Sequence, residues 1–153
     1  MTRWGIGPKF TIISFIYAAT VFTIQNIIFS ELRFVIYSTP VNIILGILLI
    51  LIGLIIFLIS AFTIDKYFYE GRLCKKGIYA YLRHPIYASW ISFIVPGIVI
   101  LRDSILGITI PIFMCFIFRV LIPDEEKYWI DKFGDQYIEY SSKVWAFFPK
   151  LSR

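Results

Sequence analysis

Residues 71–90 read GRLCKKGIYAYLRHPIYASW, and the rest of the chain is organised around this stretch. It contains His84, the only histidine in the sequence, and the densest run of positive charge. Long apolar runs lie on both sides of it and read as membrane spans. We therefore expect a membrane-embedded bundle that carries this stretch, together with a C-terminal counterpart, at one membrane surface.

The composition is that of a membrane protein. Of the 153 residues, 59% are hydrophobic and 16% are charged, and the mean hydropathy is +0.79, whereas soluble domains carry charge at about 25% of positions. The net charge of +5 favours attraction to an anionic leaflet over nucleic-acid binding, because the basic residues lie between and after apolar runs. Cys74 and Cys115 have no spacing typical of a disulfide framework, zinc or haem, so both are expected to be free thiols.

The apolar runs predict an all-α integral membrane helical bundle in a single domain, residues 1–153, with about four transmembrane helices and a C-terminal cytosolic interfacial helix. The predicted spans are residues 10–30, 41–64, 86–101 and 105–122. The first is interpreted as a retained span, since no small-residue cleavage site follows a short apolar region. The third is short and interrupted by Pro96-Gly97, which predicts a kink. Gly46 and Gly53 share a face of the second span and would permit close helix packing.

Residues 65–85 form a polar loop in this scheme, and residues 123–149 form the C-terminal interfacial segment. Pro123 is expected to start the helix of that segment, because Asp124 to Glu126 suit the positive end of a helix dipole. An apolar stripe recurs at three- or four-residue steps at Trp129, Phe133, Tyr137, Tyr140 and Val144. A joint is expected at Gly134.

The basic residues predict the orientation. If the N-terminus is cytoplasmic, all of the fifteen Lys and Arg residues except Arg33 and Arg102 lie on the cytosolic side, which is a strong positive-inside bias. The polar loop and the C-terminal segment then meet at the inner leaflet. Both termini are therefore expected in the cytoplasm, and the active site at the cytoplasmic leaflet.

Common motifs of soluble enzymes are missing. The sequence has no Gly-x-Gly-x-x-Gly, Gly-Lys-Ser, His-Glu-x-x-His or Gly-x-Ser-x-Gly pattern, and no metal site is predicted around the single histidine. The remaining polar groups offer donors for a carboxylate, acceptors for an amine or hydroxyl, and aromatic faces for a cation: Tyr79, Tyr81, Arg83, His84 and Tyr87 with Arg119, Glu125 and Glu126. Residue type alone favours interpreting them as membrane-interface anchors.

The order of these residues is more specific than their types. The pattern Gly-x-Tyr-x-x-x-Arg-His-Pro-x-Tyr is followed by a Glu-Glu pair, then by Phe-Gly-x-x-Tyr-x-x-Tyr-x-x-x-Val and a late Pro. It is formed here by Gly77, Tyr79, Arg83, His84, Pro85, Tyr87, Glu125, Glu126, Phe133, Gly134, Tyr137, Tyr140, Val144 and Pro149. This arrangement resembles the isoprenylcysteine carboxyl methyltransferase family and the related phospholipid methyltransferases. The resemblance covers roughly residues 71–149, and the first two spans contribute only hydropathy.

The resemblance implies an integral-membrane enzyme that takes S-adenosylmethionine from the cytosol and methylates a lipophilic acceptor, such as the carboxylate of a prenylated cysteine. It implies a cofactor pocket made by Gly71, Arg72, Leu73, Cys74, Tyr79, His84, Pro85, Ile86, Tyr87 and Glu125. The catalytic candidates are Arg83, Arg119 and Glu126. The residue chemistry is compatible, because a sulfonium cation suits tyrosine faces and a carboxylate, and methyl transfer needs positioning rather than a metal.

One departure from the family pattern concerns the acceptor. The arginine that would hold a substrate carboxylate falls on Leu121, so that either Arg119 substitutes for it or the acceptor is not a carboxylate. Alternatives are a phospholipid amine N-methyltransferase, a relative of the membrane NADPH-dependent sterol reductases, and a non-enzymatic membrane protein. The expected partners are a lipophilic or lipidated acceptor and membrane lipids, with no nucleic acid and no assigned oligomeric state.

Overall fold

The computed structural model describes residues 5–31 and 39–147, apart from the Thr39 side chain. Arg33, which entered the orientation argument, and Pro149 of the matched pattern lie outside the described residues. The helices are α1 (Gly7–Ile28), α2 (Thr39–Tyr69), α3 (Pro85–Ser89), α4 (Val95–Leu101), α5 (Thr109–Phe133) and α6 (Asp135–Lys143). Short 3-10 turns lie at Gly77–Ala80 and Leu106–Ile108. The described ranges contain no strand, and the predicted all-α class is confirmed.

Within the described ranges, three helical stretches are long and apolar enough to cross a membrane: Gly7–Ile28, Pro40–Tyr69 and Leu106–Phe133. The stretch Pro85–Leu101 is apolar but shorter, and it includes both α3 and α4. Its crossing of the membrane as a fourth span stays a prediction.

The interruption expected at Pro96-Gly97 is a single π turn, Trp90–Ile94, between α3 and α4. Pro96 has no N–H, and in a regular α-helix its ring would clash with the carbonyl of Ser92. The π turn widens the helix just before the proline, and the N–H of Val95 donates to the Trp90 carbonyl. The chain thus stays helical through this point.

Glycines bring α2 into close contact with α4 and with the π turn before it, which is the close packing that Gly46 and Gly53 were expected to permit. A Cβ atom at Gly46 would lie 2.6 Å from the Leu101 side chain, and one at Gly53 would lie 2.6 Å from Ile94. A Cβ atom at Gly97 would lie 2.8 Å from the Gly46 carbonyl. Any larger residue would force the two helices apart.

Helix α2 continues beyond residue 64, where the polar loop was expected to begin, and ends at Tyr69. No glycine or proline lies between Gly53 and Gly71, and Gly71 has a φ of 64°, a conformation that favours glycine. The N–H of Arg72 donates to the Tyr67 carbonyl at 3.0 Å, which is the hydrogen bond of a Schellman motif. The ordered helix end therefore includes residues assigned to the loop.

The expectation that a new helix starts at Pro123 is wrong, because Pro123 lies inside the continuous helix α5. The proline removes one backbone hydrogen bond, but Ile122 and Glu125 on its two sides are buried and keep the helix packed through this point. The joint predicted at Gly134 is confirmed: this residue has a φ of 52° and separates α5 from α6.

Helix α1 packs against α5, whereas α2 packs against α3, the π turn and α4. At its far end, α1 is held by Gln25, whose Oε1 accepts from Ser104 Oγ at 2.5 Å and from the Leu106 N–H at 3.2 Å. The buried core between α1, α3 and α5 includes Phe10, Tyr87, Ile91, Ile110, Met114 and Phe118. This arrangement leaves α1 and α2 facing each other across a space.

Candidate active site

The Arg-His-Pro turn is held in place by the C-terminal segment. The N–H of Arg83 donates to the Trp145 carbonyl at 2.8 Å, and the N–H of His84 donates to the Ala146 carbonyl at 3.1 Å. Leu82 and Trp145 form an isolated parallel bridge. These contacts fix the backbone on which the histidine side chain is mounted.

Two buried tyrosines connect this turn to α2 and α6. The Tyr140 hydroxyl donates to the Tyr79 carbonyl at 2.6 Å, and the Tyr79 hydroxyl donates to the Ser60 carbonyl at 3.3 Å. Burial raises the pKa of both phenols, so they remain hydrogen-bond donors at neutral pH. The loop between α2 and α3 is thus hydrogen-bonded to α2 on one side and to α6 on the other.

The imidazole of His84 is buried between the two glutamates of α5. Its Nδ1 lies 3.5 Å from Glu125 Oε1, and its Nε2 lies 3.3 Å from Glu126 Oε1. Burial lowers the pKa of His84, but hydrogen bonding and charge attraction from both carboxylates outweigh it and leave the pKa above its ordinary value. The two carboxylates therefore favour the protonated form of the histidine.

Glu125 also connects α3 and the start of α1. Its Oε2 accepts from the Tyr87 hydroxyl at 3.0 Å and from the Ile6 N–H at 3.1 Å. Gly5, which has a φ of 55°, approaches so closely that a Cβ atom there would overlap the carboxylate. The buried Glu125 carboxylate thus joins α5 to α3, which contains Tyr87, and to Ile6, which directly precedes α1.

Arg83 has each of its guanidinium nitrogens engaged. Its Nε donates to Glu126 Oε1 at 3.0 Å and Nη2 donates to the same oxygen at 2.5 Å. Its Nη1 donates to the carbonyls of Ser141 at 2.7 Å and Val144 at 2.5 Å, at the end of α6. This pattern is typical of a residue that positions its neighbours.

A cavity of about 940 Å³ lies between α1, α2 and α5, within the size range of small-molecule sites. Charged and polar residues of α2, α5 and the loop between α2 and α3 line it: Asp65, Arg72, His84, Glu125 and Lys132. Apolar residues continue the lining along α1 and α2: Phe10, Phe15, Ala18, Phe22, Phe57 and Ala61. The cavity therefore has a polar end and an apolar end.

Most of the residues predicted to bind a cofactor line this cavity. They are Arg72, Leu73, Cys74, Tyr79, His84, Ile86, Tyr87 and Glu125, and Arg83 lies on the lining as well. Gly71 and Pro85 do not, because the first ends α2 and the second is buried at the start of α3. Glu126 is not on the lining, but it contacts two residues that are, His84 and Arg83.

The structure does not bring Arg119 to the cavity. Arg119 is exposed on α5 and is absent from the lining. Six residues separate it from Glu125, and at about 100° per residue the two side chains leave the helix in widely different directions. The substitution of Arg119 for the family arginine therefore has no support from the geometry.

The sequence reasoning missed the contribution of α1 and α2 to the cavity. Phe10, Ser14 and Ala18 recur at four-residue steps, lie on one face of α1, and line the cavity. The Ser14 side chain is buried, and its hydroxyl has no hydrogen-bond partner in the described part of the chain. Small and polar residues at helical spacing within a bulky span were the signal that could have identified this wall.

Residues 5–31 and 39–147 contain no group of three or more His, Cys, Asp and Glu side chains arranged to hold a metal ion. The groups that could hold a cofactor are the tyrosine rings, His84 and Glu125 at the polar end of the cavity. They offer an aromatic and anionic environment for a cation and a cationic group for a carboxylate.

This part of the chain matches a known protein family. The family described as "Isoprenylcysteine carboxyl methyltransferase (ICMT) family" matches residues 44–131. This range includes most of α2 and α5, the Arg-His-Pro turn and both glutamates. The sequence resemblance to this family is thereby confirmed.

Individual proteins and one solved structure are similar as well. Protein-S-isoprenylcysteine O-methyltransferase from Homo sapiens is 27% identical over 132 residues, which cover 80% of this chain and 45% of the human protein. The protein of the same name from Saccharomyces cerevisiae is 30% identical over 138 residues, covering 82% and 57%. The eukaryotic intramembrane Ras methyltransferase ICMT has a similar fold, with a TM-score of 0.64 and 20% identity over 94% of this chain and 53% of that one. The chain thus spans about half the length of these relatives.

Proposed function

Since the chain belongs to the isoprenylcysteine carboxyl methyltransferase family, we propose that it transfers a methyl group from S-adenosylmethionine to a lipophilic acceptor, such as the carboxylate of a prenylated cysteine. It is an integral membrane protein with an all-α fold. The similar human and yeast proteins are named protein-S-isoprenylcysteine O-methyltransferases. The chain spans 45% and 57% of their lengths, so their activity is transferred to it as a proposal.

The observation that carries the proposal is the two-ended cavity. Its polar end contains His84 and Glu125, and its apolar end is lined by α1 and α2. From Gly5 to Phe22, the lining follows α1 over about 25 Å at a rise of ~1.5 Å per residue. An acceptor with a polar head and a long hydrocarbon tail fits this distribution, because each part meets a surface of its own polarity.

The polar end suits S-adenosylmethionine. Tyr79 and Tyr87 offer aromatic surface, Glu125 offers negative charge for a sulfonium, and His84 offers positive charge for the methionyl carboxylate. The residues from Arg72 to Cys74 supply the loop wall. When bound, this cofactor supplies an electrophilic methyl group on sulfur.

The remaining residues of the site hold this geometry. Arg83 and Glu126 act as positioning residues, since Arg83 joins Glu126 to the end of α6 and Glu126 contacts the imidazole of His84. The apolar walls exclude water from the reacting groups. Alignment and dehydration are the contributions that a displacement reaction requires from the protein.

The state of His84 favours a carboxylate acceptor. A carboxylate accepts a methyl group without releasing a proton, whereas an ammonium group must lose a proton before it can react. Both ring nitrogens of His84 already face carboxylates, Nδ1 at 3.5 Å from Glu125 and Nε2 at 3.3 Å from Glu126, so this side chain is poorly placed to take a proton from an amine. A phospholipid amine is therefore the less suitable acceptor.

The proposed orientation places both termini in the cytoplasm and the polar end of the cavity at the cytoplasmic leaflet. The positive-inside distribution of the basic residues supports this placement. The soluble methyl donor then reaches the polar end from the cytosol, and the acceptor enters from the bilayer.

The proposal is tested by calorimetric binding of S-adenosylhomocysteine to the purified protein in detergent or lipid nanodiscs. We expect a Kd in the micromolar range, a loss of binding in His84→Gln and Glu125→Gln, and normal binding in Lys143→Ala, an exposed control on α6. Circular dichroism verifies the folding of each variant. Undetectable binding to the unmodified protein, or thermal protection by NADPH alone, would contradict the proposal.

The acceptor is tested with a labelled methyl donor. An S-farnesyl cysteine acid, a phospholipid with a primary amine and the total host lipid are offered in parallel. Label in the acid supports the carboxylate acceptor, and label confined to the phospholipid would assign the reaction to amine methylation instead.

A further inference from the structure

Most of the basic groups on the cavity lining are already paired. Arg72 pairs with Glu70, Arg83 with Glu126, and His84 with both glutamates of α5. Lys132 lies on the same lining, and no carboxylate within residues 5–31 and 39–147 forms an ion pair with its ammonium group. Its charge is therefore available to a ligand.

Aromatic rings surround the ammonium group of Lys132. Its Nζ lies 4.9 Å from the ring centre of Phe68 on α2, 5.3 Å from that of Phe133 and 5.7 Å from that of Trp129. All three rings line the cavity. Cation–π attraction thus holds the Lys132 side chain between the end of α5 and Phe68 of α2.

Lys132 lies on the same face of α5 as Glu125. The cavity-lining residues Glu125, Trp129, Lys132 and Phe133 are spaced by four, three and one residues, which is the spacing of one helical face. Seven residues of helix place Lys132 about 10 Å further along the axis than Glu125. A ligand in the cavity can therefore reach both groups.

We infer that Lys132 binds the carboxylate of the acceptor and so determines its specificity. This inference rests on the proposed function and narrows it to acceptors with a free carboxylate at the end of an apolar chain. Such an acceptor needs a positive group where it leaves water. Leu121 is apolar and Arg119 is not on the cavity lining, whereas Lys132, which is also exposed, lies on that lining.

The charge changes of the reaction suit a lysine at this position. One carboxylate oxygen forms the new C–O bond to the methyl carbon while the methyl–sulfur bond breaks, and the electron pair of that bond stays on sulfur. An anion and a sulfonium become a neutral ester and a neutral thioether, and no proton is released. Lys132 therefore attracts the acid and loses this attraction to the ester, which favours product release.

The inference is tested by steady-state kinetics of Lys132→Gln, Lys132→Arg and the control Lys127→Gln, using S-farnesyl cysteine acid and labelled methyl donor. Lys127 is exposed on α5 and is not on the cavity lining. We expect Lys132→Gln to raise the KM for the acid about five- to tenfold, with kcat and the KM for the donor changed less than about twofold. Lys132→Arg should restore most of the affinity, and Lys127→Gln should behave like the unmodified protein.

A binding measurement separates this inference from the proposed function. Trp129 fluorescence is titrated with the acid and with its primary amide, which has a similar shape but lacks the carboxylate charge. Lys132→Gln should weaken binding of the acid and leave that of the amide unchanged, even if no methyl transfer is detected and the proposed function fails. Equal effects on acid and amide, an effect on the donor KM instead of the acceptor KM, or no effect at all would each overturn the inference.

Discussion

At the polar end of the cavity, the side chains of Arg83, His84 and Glu125 are held by partners from several helices. At the apolar end, α1 and α2 line the same cavity without packing closely on each other. The first region is cross-linked by hydrogen bonds and ion pairs, whereas the second is an open apolar surface between two helices. Under the proposed function, the polar end aligns the reacting groups and the apolar end accommodates the tail of the acceptor. Each region can be altered without altering the other.

The largest effect is expected from removing the carboxylate shared by the polar end. Glu125→Ala leaves His84, Tyr87 and the Ile6 N–H without their partner and should lower the free energy of unfolding by about 3–5 kcal/mol. Glu125→Gln retains the size and an acceptor oxygen and should cost less. Thermal or denaturant unfolding in a fixed detergent measures both values, and a loss below about 1 kcal/mol for the alanine variant would show that this region is not rigidly held.

A smaller effect is expected from Arg83→Gln, which loses the charged hydrogen bonds to Glu126 and to the end of α6. The expected loss of stability is about 1.5–3 kcal/mol. Hydrogen exchange should increase in the segment 83–84, whose N–H groups donate to the Trp145 and Ala146 carbonyls. Unchanged exchange in that segment would contradict the positioning role of Arg83.

The ionisation of His84 gives a third test. Its pKa is raised by the fold above the ordinary value of 6.5, so its charge stabilises the folded state fully below pH 6.5 and loses this effect as pH rises through the folded pKa. The unfolding temperature should therefore fall from pH 6.5 towards alkaline pH, and His84→Gln should flatten this dependence. A wild-type profile that rises over the same interval would contradict a raised pKa of His84.

The smallest change in stability is expected at the apolar end. Ala61→Leu adds volume into the open cavity, so the free energy of unfolding should change by less than about 0.5 kcal/mol. The KM for a long acceptor should rise roughly tenfold, because the added side chain occupies space used by the tail. Ile59→Phe, on the exposed side of α2, serves as the control and should leave the KM unchanged.

Much of the polar end could be predicted from the order of residues. Arg83, His84 and Tyr87 lie in one short motif, and the glutamate pair follows at a distance that the family pattern sets, so their meeting was expected. The structure adds the reason for it, since the backbone of this turn pairs with Trp145 and Ala146. That pairing joins positions far apart in the sequence, so no pattern in the local sequence could have predicted it.

The apolar end could not be predicted from hydropathy. Helices α1 and α2 read as uniform spans, and hydropathy does not distinguish a side chain that faces lipid from one that faces a cavity. The expectation that a helix starts at Pro123 was wrong for a related reason. Local preference places proline at a helix start, but the buried neighbours Ile122 and Glu125 keep α5 continuous. The sequence analysis did not single out Lys132, because one of its aromatic neighbours, Phe68, comes from a different helix.

The pairing of the Arg-His-Pro turn with residues 145 and 146 also sets a time order during synthesis. A ribosome that adds about 5–20 residues per second completes α1, α2 and the histidine turn before the segment that holds this turn has been translated. The nascent chain can thus enter the membrane with an unfinished binding site. Competence for ligand binding begins only when the C-terminal segment has emerged and docked, which makes assembly of the site a late step that follows insertion of the helices.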